Sequence, residues 1–97
     1  MTREQLVETW FDLTRERMPG LAAHAGWPVR FDHCFQRILL DNAVGAKWSE
    51  HIPAPAYRNA GDTILKRAIA LGEAAIAGQE DLARLNARSL AWRGKRR

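Results

Sequence analysis

The sequence predicts an all-α fold, a small bundle of about four helices around a central apolar helix spanning residues 31–44. Apolar residues recur at three- and four-residue spacing in four separate stretches, which is the periodicity of a helix with one buried face. No stretch alternates apolar and polar side chains as a half-buried strand would. Proline and glycine punctuate the chain between the periodic stretches. The 97 residues are enough for one core. A chain of this size buries about 65% of its unfolded surface on folding, so it needs no metal or disulfide to hold it. Residues 1–92 are therefore expected to form a single helical domain and 93–97 a basic tail.

The first helix opens at Thr2 and Gln5, whose spacing is that of a capping box satisfying free N–H groups. Leu6, Val7, Trp10, Phe11, Leu13 and Met18 follow at helical spacing, with Glu8, Asp12 and Glu16 on the opposite face. Pro19-Gly20 is expected to stop this helix, leaving Leu21 to Arg30 as a connector. The second helix should run from Phe31 or Asp32 to Val44, with Gly45 as its stop. On a helical wheel Phe31, Cys34, Phe35, Ile38 and Leu39 share one broad apolar face, while Leu40 and Val44 extend onto the far side. A helix apolar on nearly all sides belongs at the centre of a fold.

Trp48 and Ile52 suit a short turn or helical piece, and His51 to Gly61, with Pro53 and Pro55, reads as a loop. Asp62 is expected to cap a third helix whose stripe comprises Ile64, Leu65, Ala68, Ile69, Leu71, Gly72, Ala75 and Ile76. A glycine inside that stripe costs about 1 kcal/mol of helix propensity, and close approach of another helix backbone would account for it. Gly78 ends the third helix, and a fourth from Glu80 to Trp92 should bury Leu82, Leu85, Ser89 and Trp92.

The functional content is sparser. No complete catalytic, metal or cofactor signature is present, and no cofactor is expected. The single cysteine, Cys34, allows no internal disulfide and suits a reducing compartment. Met1 to Trp10 lacks the continuous apolar run of a secretory signal, and no stretch has the roughly 18 apolar residues of a membrane span. Cytoplasmic location without membrane attachment is the expectation. His33 and Cys34 are neighbours on a helix, so their side chains diverge and cannot work as nucleophile and base. His24 and His51 add no ligand spacing, so no metal site is expected.

Asn42 lies within about 20° of Phe31 on the wheel, at the heart of the apolar face. A buried amide there must find partners or cost about 1–3 kcal/mol. Asp41 can reach back one turn to Arg37. Two alternatives follow. Asn42 satisfies loop backbone near Gly45 beside a surface Arg37–Asp41 ion pair, or a polar pocket forms from Arg37, Asp41, Asn42, Trp48, His51 and Tyr57.

The stretch Arg58-Asn59-Ala60-Gly61-Asp62-Thr63 resembles part of the acyl-CoA-binding loop of acetyl-CoA-dependent N-acetyltransferases. Arg58 and Gly61 match that loop, and Thr63 stands where the family has Gly or Ala. The resemblance implies an acyl-CoA ligand whose pyrophosphate rests on the following helix. Read from its residues alone, the same stretch is an Asp-capped helix start behind a proline loop.

Charge is the remaining signal. The net charge of +4 is concentrated at one end, since Arg84, Arg88, Arg93, Lys95, Arg96 and Arg97 stand among the last fourteen residues with no acidic residue. The other 83 positions hold nine basic and eleven acidic residues, a net of −2. If the fourth helix continues past Gly94, Arg84, Arg88 and Lys95 line one side of it, and Trp92 could add stacking. A small non-enzymatic binding protein is the leading expectation, meeting a protein or nucleic-acid partner through Arg84, Arg88, Trp92, Arg93 and Lys95. The alternatives are a ligand-binding or enzymatic domain using Asp41 to Tyr57, and a homo-oligomer pairing the basic end with the Glu8–Asp12–Glu16 face. The same cations also offset the dipole at a helix C-terminus, or pair with that acidic face within one molecule.

Overall fold

A computed structural model describes residues 1–94, and every regular element among them is helical. In chain order these are α1 (Arg3–Phe11), a π-helical segment (Asp12–Arg17), α2 (Met18–Ala25), α3 (Asp32–Val44), a 3-10 turn (Trp48–Glu50), α4 (Ala56–Asn59), α5 (Asp62–Ile76) and α6 (Leu82–Trp92). The first three follow without a break, so the architecture is four long helical rods plus two one-turn pieces. The Cα radius of gyration, 12.4 Å, is that of a compact globule of this length. No helix among the described residues is long and apolar enough to cross a membrane.

The expected capping box is present. The Thr2 side chain accepts from the Gln5 N–H, and the Gln5 side chain accepts from the Thr2 N–H. Pro19-Gly20, however, does not end the helix, which continues to Ala25. The π-helical segment explains both this departure and its own existence. In a uniform α-helix the stripe Leu6–Trp10–Leu13 would carry Met18 off the buried side. One extra residue per turn, seen in the Met18 N–H donating to the Leu13 carbonyl, rotates it back. Met18 and Ala22 are consequently buried along with Leu6, Trp10, Leu13 and Thr14. Pro19 falls in the first turn of α2, at its junction with the π-helical segment. The rod stops instead at Gly26, whose φ of 70° is the left-handed conformation glycine adopts without strain.

Helix α3 runs through the middle of the fold and touches the π-helical segment, α2, α5 and α6. Phe35, Ile38, Leu39, Leu40 and Ala43 are buried, as the wheel requires of a central helix. Phe31 departs from expectation at 64% exposure. Its backbone is extended (φ −105°, ψ 151°) because it is the N-cap, so the wheel angle that placed it in the core does not apply. At the other end Gly45 terminates α3 in the left-handed conformation, and Arg67 of α5 donates to the Ala43 carbonyl left open there.

Helix α5 buries Leu65, Ala68, Gly72 and Ala75, with Ile64, Ile69, Leu71 and Ile76 half-buried around them. Asp62 is its first residue rather than its cap. Gly61 takes the cap position, and the Asp62 carboxylate meets the Arg3 guanidinium at 2.6 Å. Gly72 is required by side chains, not by a neighbouring backbone. A Cβ there would stand 2.6 Å from Leu13 Cδ2 and 3.0 Å from Leu39 Cδ1. Helix α6 begins at Leu82, with the Asp81 carboxylate accepting from the N–H groups of Ala83 and Arg84.

Two predictions follow from this packing. Gly72→Ala gains about 1 kcal/mol of helix propensity but overpacks a filled contact at about 1–3 kcal/mol, so a net loss near 1 kcal/mol is expected in urea unfolding. Combining it with Leu13→Val should shrink that loss. The second concerns Arg17, which holds Glu73 of α5 through two 2.8 Å hydrogen bonds. Those bonds, aided by the guanidinium charge and opposed by burial, hold the Glu73 carboxyl below its ordinary 4.5. A depressed folded-state value means that the pair stabilises fully above about 4.5 and fades as pH falls through the folded value. Glu73→Gln should cost about 0.5 kcal/mol at neutral pH, as an exposed pair does, with wild type and variant converging well below 4.5 in thermal melts.

Candidate functional site

Two arrangements bear on function, a buried polar network where α3 meets α6 and the surfaces that this network fixes. At its centre is Asp41, 0% exposed on α3. One carboxylate oxygen accepts from the Trp48 backbone N–H (2.9 Å) and from Arg93 Nη2 (3.0 Å). The other accepts from Ser89 Oγ (2.6 Å) and Arg93 Nε (2.7 Å). Ser89 Oγ in turn accepts from Arg37 Nη1 (2.7 Å), and Arg37 Nη2 donates to Asn86 Oδ1 (2.9 Å). Asn42 adds a second tie, its amide donating to the carbonyls of Ile38 (2.8 Å) and Leu85 (2.9 Å).

This geometry revises several expectations. Arg37 and Asp41 do not form a surface ion pair, because Asp41 points inward to α6 and the bidentate guanidinium of Arg93 reaches it from the end of that helix. Asn42 satisfies the backbone of α6 rather than the loop near Gly45. Arg93, expected as a partner contact, is folded back onto Asp41 with its side chain 18% exposed. Helix α6 stops at Trp92, and Gly94 has a φ of 75°, so the helix does not continue through Gly94. Lys95, Arg96 and Arg97 lie outside the described residues. Trp92 is 40% exposed instead of buried.

Of the residues expected to form a pocket, Arg37, Trp48 and Tyr57 do line one groove of about 370 Å³. Asp41 stands behind its wall, and neither Asn42 nor His51 borders it. Its other walls come from positions that the sequence did not assign to a pocket. Trp10, Phe11 and Arg15 come from the first rod, His33, Gln36 and Leu40 from α3, and Pro55 and Ala56 from the start of α4. Phe11 and Arg15 carried one readable sign, their i, i+4 spacing, and the Arg15 guanidinium lies 3.7 Å from the centre of the Phe11 ring. Tyr57 packs edge-on against the same Phe11 ring at 5.1 Å.

Chemically the network is saturated. Four donors fill the Asp41 carboxylate, and no buried side-chain nitrogen or oxygen among the described residues lacks a partner. Ser89 Oγ donates to a carboxylate with no histidine between them, so it is held rather than activated. The fixed side of α6 faces this network, whereas Arg84 and Arg88 are exposed and make no ion pair among the described residues. Glu8, Asp12 and Glu16 are likewise exposed, and none is ion-paired to Arg84 or Arg88. No group of three or more His, Cys, Asp or Glu side chains among the described residues is placed to hold a metal. The stretch 58–63 spans the end of α4 and the start of α5, where the Tyr57 and Arg58 carbonyls accept from Arg3. Comparison with protein-family models, with curated proteins and with solved structures finds no match.

Removing the Asp41 carboxylate should leave Arg93, Ser89 and the Trp48 N–H short of their shared acceptor. Asp41→Ala is expected to cost about 3–5 kcal/mol in urea unfolding, a large share of a small domain's stability. Arg93→Ala should cost less, about 2 kcal/mol, because Asp41 keeps its bonds to Trp48 and Ser89.

Proposed function

We propose that the protein is a small non-enzymatic binding module of the cytoplasm that engages nucleic-acid phosphates through the outer ridge of α6. Arg84, Arg88 and Trp92 stand at i, i+4 and i+8, all exposed, and therefore share one side of the helix. The observation that carries the reading is the contrast between the two sides of this one helix. Leu82, Leu85, Asn86, Ser89 and Arg93 are committed to the fold, while Arg84 and Arg88 point outward without an acidic neighbour in ion-pair reach among the described residues.

Both guanidiniums suit bidentate contact with phosphate oxygens, and an exposed indole at the end of the ridge suits stacking on an unpaired base. Holding α6 rigid reduces the ordering cost of association. Arg93 takes no part in the proposed contact, since its guanidinium is engaged by Asp41. The cytoplasmic setting fits the lone half-buried thiol of Cys34.

Fluorescence anisotropy with mixed-sequence single-stranded DNA, repeated from about 50 to about 200 mM salt, tests this directly. Affinity should fall with salt, and Arg84→Ala with Arg88→Ala should reduce the log–log slope by about 1.5. Trp92→Ala should weaken single-stranded more than double-stranded binding. Affinity indifferent to both salt and the double substitution would overturn the proposal. Equal affinity for poly-glutamate would move it to an acidic protein partner. A molecular mass that rises at low salt in the absence of nucleic acid would instead favour self-association through the acidic face of the first rod.

A further inference from the structure

We propose that the groove between the first helical rod, α3 and the Trp48–Tyr57 segment is a binding site for a small organic anion carrying a flat apolar ring. Its polar chemistry is one-sided. Arg15, Arg37, His33 and Gln36 line it, and no carboxylate does. The other described grooves differ. Glu4 and Glu8 border the one along α1, Glu80 and Asp81 border the one beside α2, and the one near Met1 is almost wholly apolar around Lys66. An anion is therefore the ligand that this groove receives without charge repulsion, and a cation is the one it rejects.

The apolar requirement comes from the walls. Phe11, Trp48 and Tyr57 are each half-buried and border the groove. A flat ring gains from them both area and ring–ring contact. The volume of about 370 Å³ lies at the small end of the range for ligand sites, which suits one or two fused rings with a carboxylate and excludes a bulky dinucleotide.

The buried network gives the groove its rigidity. Asp41 holds the backbone of Trp48, while Ser89, itself donating to Asp41, holds one arm of Arg37 and Asn86 holds the other. A guanidinium has five N–H donors, so the two bonds that fix Arg37 leave others for a ligand. A buried ion pair adds little stability over well-packed apolar side chains. What it secures here is the position of an aromatic and a cationic wall relative to each other, which is the preorganisation that a small-molecule site needs.

The test uses the intact, 15N-labelled protein and two sets of probes. Benzoate, indole-3-acetate and 2-naphthoate vary the ring, while indole-3-ethylamine and 3-methylindole replace the anion by a cation and by a neutral group. At least one carboxylate should shift the Trp48 indole and Arg37 Nε resonances in saturable fashion below about 10 mM, and about tenfold more tightly than the amine. Arg15 is exposed and its one side-chain contact of note is the Phe11 ring, so Arg15→Gln should lower the melting temperature by no more than about 5 °C while weakening the carboxylate about fivefold. Arg15→Lys should retain most of the affinity. The proposal is overturned if all three carboxylates leave Trp48 unmoved, if the amine binds as well as the acid, or if the shifts map to Arg84 and Arg88 instead.

Discussion

The carboxylate of Asp41 is the constraint on which the arrangement of this domain turns. A charge removed from water must be matched almost completely, or it disfavours the folded state by several kcal/mol. Here the match comes from three groups on two segments of the chain: the N–H of Trp48, and the hydroxyl of Ser89 and guanidinium of Arg93 at the end of α6. Meeting that demand brings the end of α6 onto the last turns of α3 and folds the Trp48 segment over the same point. Hydrophobic burial explains why the helices cluster. The carboxylate explains why α6 and the Trp48 segment sit where they do, because apolar contacts alone tolerate sliding and polar bonds with fixed geometry do not.

The two proposed binding surfaces lie around that point rather than at it. Both Asp41 oxygens are occupied, each by two hydrogen bonds. Its effect is indirect. On one side it steadies Trp48 and, through Ser89, Arg37, which form part of a groove rich in aromatic and basic groups. On the other it fixes α6 so that Arg84, Arg88 and Trp92 project from a firm base. The ridge and the groove are separate surfaces, yet the same bonds support both.

Much of the fold was legible because it rests on local rules. The Thr2–Gln5 spacing gave a capping box, the apolar run in 32–44 gave a central helix, and Gly45 gave its end. Departures arose where local rules compete with packing. Pro19 reads as a stop, but a π-helical insertion absorbed it and kept Met18 and Ala22 in the core. Phe31 reads as core from its wheel angle, but it precedes the first helical residue and faces solvent. Gly72 reads as a sign of close approach by another helix backbone, but the groups a Cβ there would meet are the side chains of Leu13 and Leu39.

The site was legible in part. Asp41, Asn42, Arg37, Trp48 and Tyr57 stand out as polar or aromatic residues in telling positions, but the partners that Arg37, Asp41 and Asn42 find at α6 lie far away in sequence and follow no periodicity. Neither Arg93 as the counter-ion nor Arg15 as a groove cation can be inferred without the fold. Asp41 fixes its neighbours, and amide hydrogen exchange at the Trp48 backbone N–H measures that most directly. Protection comparable to that of the α3 core amides is the predicted result. Exchange at the rate of an exposed loop amide would contradict it, since that N–H would then be open to water rather than held by the buried carboxylate.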